Sequence, residues 1–96
     1  RSIFMGIFGY TSPYSRDKHN ITRAAVQRII SRTAIKRVTK ETELAIERAF
    51  EVERKHDGKL SLRQVDEVLR QLKKEHVVDV YNMKTILKAF ETFFER

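Results

Sequence analysis

The side chains with the clearest chemical potential in this sequence are the basic ones between Arg16 and Lys40. That segment holds eight lysines and arginines and a single acid, Asp17, so it accounts for the whole net charge of +7. In the rest of the chain, twelve basic and twelve acidic residues cancel. A concentrated positive block typically serves a polyanion, and nucleic acid is the commonest one. The charge pattern therefore predicts a non-catalytic, nucleic-acid-binding protein.

The spacing of these cations predicts a helix that lies along a phosphate backbone. Arg28, Arg32 and Lys36 recur every four residues, so they form a stripe on one side of a helix predicted over residues 22–36. DNA is preferred to RNA as the partner. Six residues are predicted to contact phosphate: Arg23, Arg28, Arg32, Lys36, Arg37 and Lys40.

A second hypothesis is a regulatory or protein-interaction module. In that case the basic helix docks on an acidic protein, or the aromatic side chains near both ends fill a partner's groove. An aromatic terminal helix must bury its face, and a homodimer interface would do so. A third hypothesis is a small accessory subunit of a larger enzyme. The predicted partner contacts are Phe4, Phe8, Tyr10, Phe90, Phe93 and Phe94.

The sequence gives little support to catalysis, cofactors or metals. Its three histidines lie far apart, and it contains no glycine-rich phosphate loop, HExxH or GxSxG motif. Cysteine is absent, which excludes disulfides and thiolate metal sites and fits an intracellular protein of the cytoplasm, nucleoid or nucleus. No apolar run reaches the roughly 18 residues that a membrane span needs. We expect no enzyme activity, no cofactor, no metal and no membrane partner.

The elements that must position these residues are helical. Periodicity predicts an all-α, four-helix domain over residues 21–96, preceded by an N-terminal arm over residues 1–20. Arg1 is not a natural start, so we expect that the chain was cut or carries vector residues, and Met5 is a candidate for the native initiator. The predicted helices cover about 22–36, 40–56, 61–74 and 83–94, and residues 76–81 are either a short strand or an extended connector.

Local signals mark where these helices begin. Thr22 or Asn20, Thr39, and Asp79 or Asn82 can each satisfy an orphan backbone donor at a helix start. Ser61 and Gln64 have the spacing of a capping box, which is the clearest start signal in the chain.

Residues 53–64, ERKHDGKLSLRQ, resemble the loop of an EF-hand. Gly58 stands at the sixth position, Leu60 at the eighth and Asp57 at the fifth. The resemblance implies a helix–loop–helix unit. The third position holds Lys55 and the twelfth holds Gln64, where calcium requires oxygen ligands and a bidentate glutamate. We therefore expect that this loop does not bind calcium.

Residues 21–72 also partly resemble a histone fold. ITRAAVQRIISRTAIKRVTKETELAIERAFE is similar to that family's first helix, first loop and start of the central helix, and KLSLRQVDEVLRQL is similar to its second loop and last helix. The resemblance implies a handshake dimer with Arg37, Val38 and Thr39 on DNA. Gly58 and Ser61 stop the central helix several turns early. The end of AAA+ ATPase lid domains shows a similar pattern of a K-x-[ST] motif followed by a helix.

Overall fold

The computed structural model describes residues 12–33 and 39–95, and four helices dominate this part of the chain. This confirms the predicted all-α, four-helix domain. A two-stranded sheet accompanies the helices. The elements follow in the order β1 (Lys18–Asn20), α1 (Arg23–Arg32), α2 (Lys40–Arg54), β2 (Lys59–Ser61), α3 (Leu62–Lys74) and α4 (Val80–Phe94).

All four helices begin at side chains that cap them. The side chains of Thr22, Thr39, Ser61 and Asp79 each accept a hydrogen bond from the backbone N–H three residues later. At α3 the cap is reciprocal, because the Gln64 side chain also accepts a hydrogen bond from the Ser61 backbone N–H at 2.9 Å. Each cap satisfies a donor that a helix start would otherwise leave without a partner. The predicted capping box is therefore present.

The sheet was not predicted. Strands β1 and β2 pair antiparallel, with His19 opposite Leu60. The Ile21 backbone N–H continues the contact by donating to the carbonyl of Gly58 at 3.2 Å. Residues 18–20 belong to the predicted arm, so the end of that arm is built into the domain. Residues 12–17 of the arm are also described, and the Arg63 backbone N–H donates to the carbonyl of Ser15 at 3.0 Å. Residues 1–11 of the arm lie outside the described residues.

The suggestion of a strand over residues 76–81 was wrong. Helix α3 ends instead in a tight turn in which the N–H groups of His76 and Val77 donate to the carbonyls of Lys73 and Leu72. His76 has a φ of 62°, the left-handed conformation that this helix ending requires. Because Asp79 caps α4, that helix begins at Val80, three residues before its predicted start.

The core lies where the four helices meet. The rings of Phe50 and Phe90 are 4.8 Å apart at their centres and join α2 to α4. Fully buried aliphatic side chains from every helix and from β2 surround them: Val26, Ile30, Ile46, Leu60, Val65, Val68, Leu69 and Ile86. This packing fixes the positions of α1 and α4 relative to each other.

In the ranges 12–33 and 39–95, none of the helices combines the length and the apolar character required to cross a membrane.

Replacing Phe90 with alanine should lower the free energy of unfolding by about 3–5 kcal/mol, because it removes a fully buried ring and leaves a cavity. Val80→Ala is the control, since Val80 is 44% exposed and its truncation should cost less than about 0.5 kcal/mol. Denaturant unfolding followed by circular dichroism measures both. Equal losses in the two variants would contradict the assigned core.

Candidate functional site

The structure describes four of the six predicted phosphate-binding residues. Arg23, Arg28 and Arg32 lie on α1 and Lys40 begins α2, and all four are exposed. Lys36 and Arg37 lie outside the described residues. The four described cations, which are close in sequence, therefore divide between two helices, and their surroundings differ.

Lys40 is engaged by an acid of its own helix. Its ammonium lies 3.0 Å from a carboxylate oxygen of Glu43, one turn further along α2. This hydrogen bond raises the pKa of Lys40, so the ammonium stays charged. The neighbouring carboxylate nevertheless offsets much of the field that Lys40 could present to a polyanion.

Arg23 also faces acids, from the neighbouring helix. It lines a polar cleft between α1 and α2 together with Glu47 and Glu51. A hydrogen bond from Arg54 lowers the pKa of Glu51, and the nearby charge of Arg23 contributes to the same shift. Glu51 is therefore a carboxylate beside Arg23, and the positive charge at this end of α1 is partly compensated.

Arg28 and Arg32 differ from these two cations. Both are exposed, and no carboxylate among the described residues forms an ion pair with either guanidinium. They lie one helical turn apart on the same side of α1. Among the four predicted phosphate contacts that the structure describes, these two arginines are the ones left available to bind an anionic partner.

Arg28 and Arg32 border a groove of about 350 Å³ between α1 and α4. The α4 side of the border carries Lys88, whose side chain is 77% exposed and lies 4.0 Å from Glu91. Positive side chains therefore stand on both sides of the groove. Its floor and walls consist of small or apolar side chains: Ala25 and Ile29 from α1, Thr33 directly after that helix, and Thr85, Ala89, Thr92 and Phe93 from α4.

The aromatic residues predicted to contact a partner are not gathered in one place. Phe4, Phe8 and Tyr10 lie outside the described residues. Phe90 is fully buried in the core and cannot contact a partner, which corrects its predicted role. Phe93 is half-buried and lines the groove.

Phe94 is also half-buried, and its ring stacks on His19 of β1 with centroids 4.5 Å apart and ring planes 10° from parallel. This stacking therefore holds the end of α4 against the sheet. Phe94 is not among the residues that line the groove.

Sequence reasoning missed the α4 wall of the groove. Thr85, Lys88, Ala89 and Thr92 follow helical spacing, so they share a face of α4 opposite its large apolar residues. Small side chains on a predicted helix face leave room for another chain, and this signal could have been recognised. Ile29 of α1 is half-buried: it packs against the core and also lines the groove.

The EF-hand-like loop does not fit a calcium ion. Both carboxylate oxygens of Asp57 are engaged: one accepts a hydrogen bond from the Lys18 ammonium at 2.7 Å and the other from the Lys59 backbone N–H at 3.1 Å. The hydrogen bond from Lys18 lowers the pKa of Asp57. Lys55 occupies a ligand position with a positive charge. Within residues 12–33 and 39–95, no group of three or more acidic or histidine side chains could hold a metal ion.

No protein-family model matches the chain, and no curated protein or solved structure is significantly similar to it.

Removing the ammonium with Lys18→Met should raise the pKa of Asp57 toward its ordinary value of 3.8. The folded-state pKa is depressed, so the ion pair stabilises the domain at pH values above that ordinary value. This stabilisation disappears as the pH falls through the folded-state pKa. NMR titration of the Asp57 carboxyl carbon measures the shift. Lys59→Met is the control, because only the Lys59 backbone contacts Asp57; equal shifts in both variants would contradict the pairing.

Proposed function

We propose that this domain is a non-catalytic docking module that holds an acidic, amphipathic segment of a protein partner in the groove between α1 and α4. The observation that supports this function is the combination of an apolar floor with two exposed arginines at the border that form no ion pair with any described residue. Amphipathic helices bind other proteins by laying an apolar face into a groove of this kind.

The floor supplies a reason for binding. Ile29 and Phe93 are only half-buried in the isolated chain, so a partner's apolar side chain would remove further apolar surface from water. Such burial stabilises a complex by about 25 cal/mol per Å² before the costs of association are counted. Ala25 and Ala89 leave space above the floor. A leucine-sized side chain is therefore the expected anchor.

The basic residues at the border of the groove determine which kind of partner can bind. Arg28 and Arg32 are four residues apart, which separates them by about 6 Å along the axis of α1. Their guanidinium groups can each bind a carboxylate through two parallel hydrogen bonds. Lys88 presents a further cation on the other side of the groove. A segment with an apolar stripe between two rows of acidic side chains would match this arrangement.

DNA binding is the second candidate. It is favoured by Arg28 and Arg32, which are exposed and form no ion pair with another described residue. Lys36 and Arg37 belong to the same basic block of the sequence and lie outside the described residues. A nucleic acid would use the border cations and would not require the apolar floor, which distinguishes the two candidates. Homodimer formation and an intracellular location remain predictions.

A groove-filling substitution tests the proposed docking. The probe is an acidic peptide with leucines at i, i+3, i+4 and i+7 flanked by glutamates, and its scrambled version is the control. Fluorescence anisotropy should show binding of the patterned peptide at micromolar concentrations, roughly −8 kcal/mol. Ala89→Phe should weaken it by about tenfold or more, because the new ring occupies the groove. Equal binding of both peptides would contradict the proposal.

Charge reversal tests the border. Arg28→Glu combined with Arg32→Glu should weaken binding of the patterned peptide by about tenfold or more, because both charge-assisted contacts become repulsive. Lys73→Glu with Lys74→Glu is the matched control, since both lysines are exposed on α3 and the net charge changes equally. Equal weakening by both pairs would show a general effect of charge and contradict docking at this border.

The same variants separate protein docking from DNA binding. Duplex DNA is titrated at about 50 and 200 mM salt, where six or more phosphate contacts would reduce the affinity about a thousandfold. A DNA-binding function predicts this fall and no effect of Ala89→Phe. Peptide docking predicts the reverse: sensitivity to Ala89→Phe and a weaker dependence on salt. Salt-sensitive DNA binding without patterned peptide binding would favour the second candidate.

A further inference from the structure

The turn between α2 and α3 shares the position of its sharp bend with cation-binding loops of the EF-hand type. Gly58 adopts a left-handed conformation with a φ of 73°, which makes the sharp bend that such loops place at their sixth position. The short strand β2 follows the bend at once. The side chains of Ser61 and Gln64 then cap the start of α3, each accepting a hydrogen bond from the backbone N–H of the other residue. The geometry that the EF-hand resemblance implied is therefore present from residue 53 to residue 64.

The side chains of this loop nevertheless disfavour a metal ion. Calcium takes six to eight oxygen ligands, and each must have a lone pair directed at the ion. Both carboxylate oxygens of Asp57 already accept a hydrogen bond, one from the Lys18 ammonium and one from the Lys59 backbone N–H. Lys55 adds an ammonium where a ligand would stand. The loop therefore has too few free oxygens and too much positive charge for a divalent cation.

We propose that the Lys18 ammonium replaces the divalent cation of such a loop as a counter-ion that the chain itself supplies. It neutralises Asp57 and links the loop to β1, so the helix–loop–helix unit is formed without metal and does not respond to calcium. This goes beyond the proposed docking function and does not depend on it. If both hold, the groove is ready to bind at any calcium concentration.

The position of Lys18 follows from the pairing of the strands. Antiparallel register places Lys18 opposite Ser61, and its side chain reaches back to Asp57 across the bend. Two further contacts join the same segments: the Ile21 backbone N–H donates to Gly58, and the Arg54 guanidinium donates to the Ile21 carbonyl at 3.3 Å. These bonds supply within one chain the cross-links that metal ligation would otherwise provide.

The first experiment compares the thermal unfolding midpoint of the unaltered protein in EDTA and in excess calcium chloride. Specific binding to the folded state would raise the midpoint, because a ligand that binds only the native protein stabilises it. We expect no change. A clear rise would overturn the proposal.

The second experiment restores ligands with and without Lys18. One variant carries Lys55→Asp and Gln64→Glu, and the other adds Lys18→Met to these two substitutions. Gln64→Glu supplies the acidic residue of the twelfth position, and glutamate also preserves the capping box. Calcium titration by calorimetry should show binding to the triple variant and binding weaker by about tenfold or more in the double variant, because only the double variant keeps Asp57 neutralised.

Equal calcium affinity in the double and triple variants would show that Lys18 does not occupy the role of the cation. A folded triple variant that does not bind calcium would show that the loop lacks the required geometry. Should the triple variant be unfolded in buffer alone, circular dichroism during calcium addition decides between the outcomes: refolding supports the proposal and continued unfolding overturns it.

Discussion

The contact between the rings of Phe50 and Phe90 is the interaction on which the rest of the structure depends. It joins the C-terminal half of α2 to the C-terminal half of α4 in a core that also receives Ile30 from α1. Both rings are fully buried, and because protein cores are packed to crystal-like density, they limit how closely α2 and α4 approach each other. The groove between α1 and α4 lies on another side of α4, where small side chains such as Thr85 and Ala89 face it. Its floor is the part of the α1–α4 contact that the core leaves uncovered.

The fold places acidic side chains beside some of the basic side chains that form a separate block in the sequence. Along the chain, the basic block is separate from the acids that balance it. In space, α2 brings Glu47 and Glu51 beside Arg23, and Glu43 holds Lys40. The surface that can attract a polyanion is therefore smaller than the sequence implies, and in the described residues it is centred on Arg28 and Arg32. The net charge of +7 is a property of the whole molecule, and it does not give the charge of any particular face.

The sequence predicted those features that depend on neighbours along the chain. Helix caps depend on residues within four positions of one another, so the Ser61–Gln64 box could be recognised from residue types and spacing alone. The number of helices followed from periodicity. Strand β1 could not be predicted, because its three residues show no apolar pattern. They form a strand only by pairing with β2, which lies about forty residues further along the chain. The small residues of the α4 wall were a readable signal, but the extent of the groove was beyond reach, because periodicity does not show how much of the apolar face of α1 is covered by α4.

The separation between β1 and β2 has a consequence for the way the chain folds. Closing a loop of this length costs more chain entropy than joining α3 to α4, which are neighbours in sequence. Contacts between distant segments also slow folding relative to local ones. We therefore expect the helices to pack together first, and β1 to pair with β2 after the helical core has formed. The last step of folding would then be the arrival of Lys18 at Asp57, and the same pair would be among the first to separate when the native state opens locally.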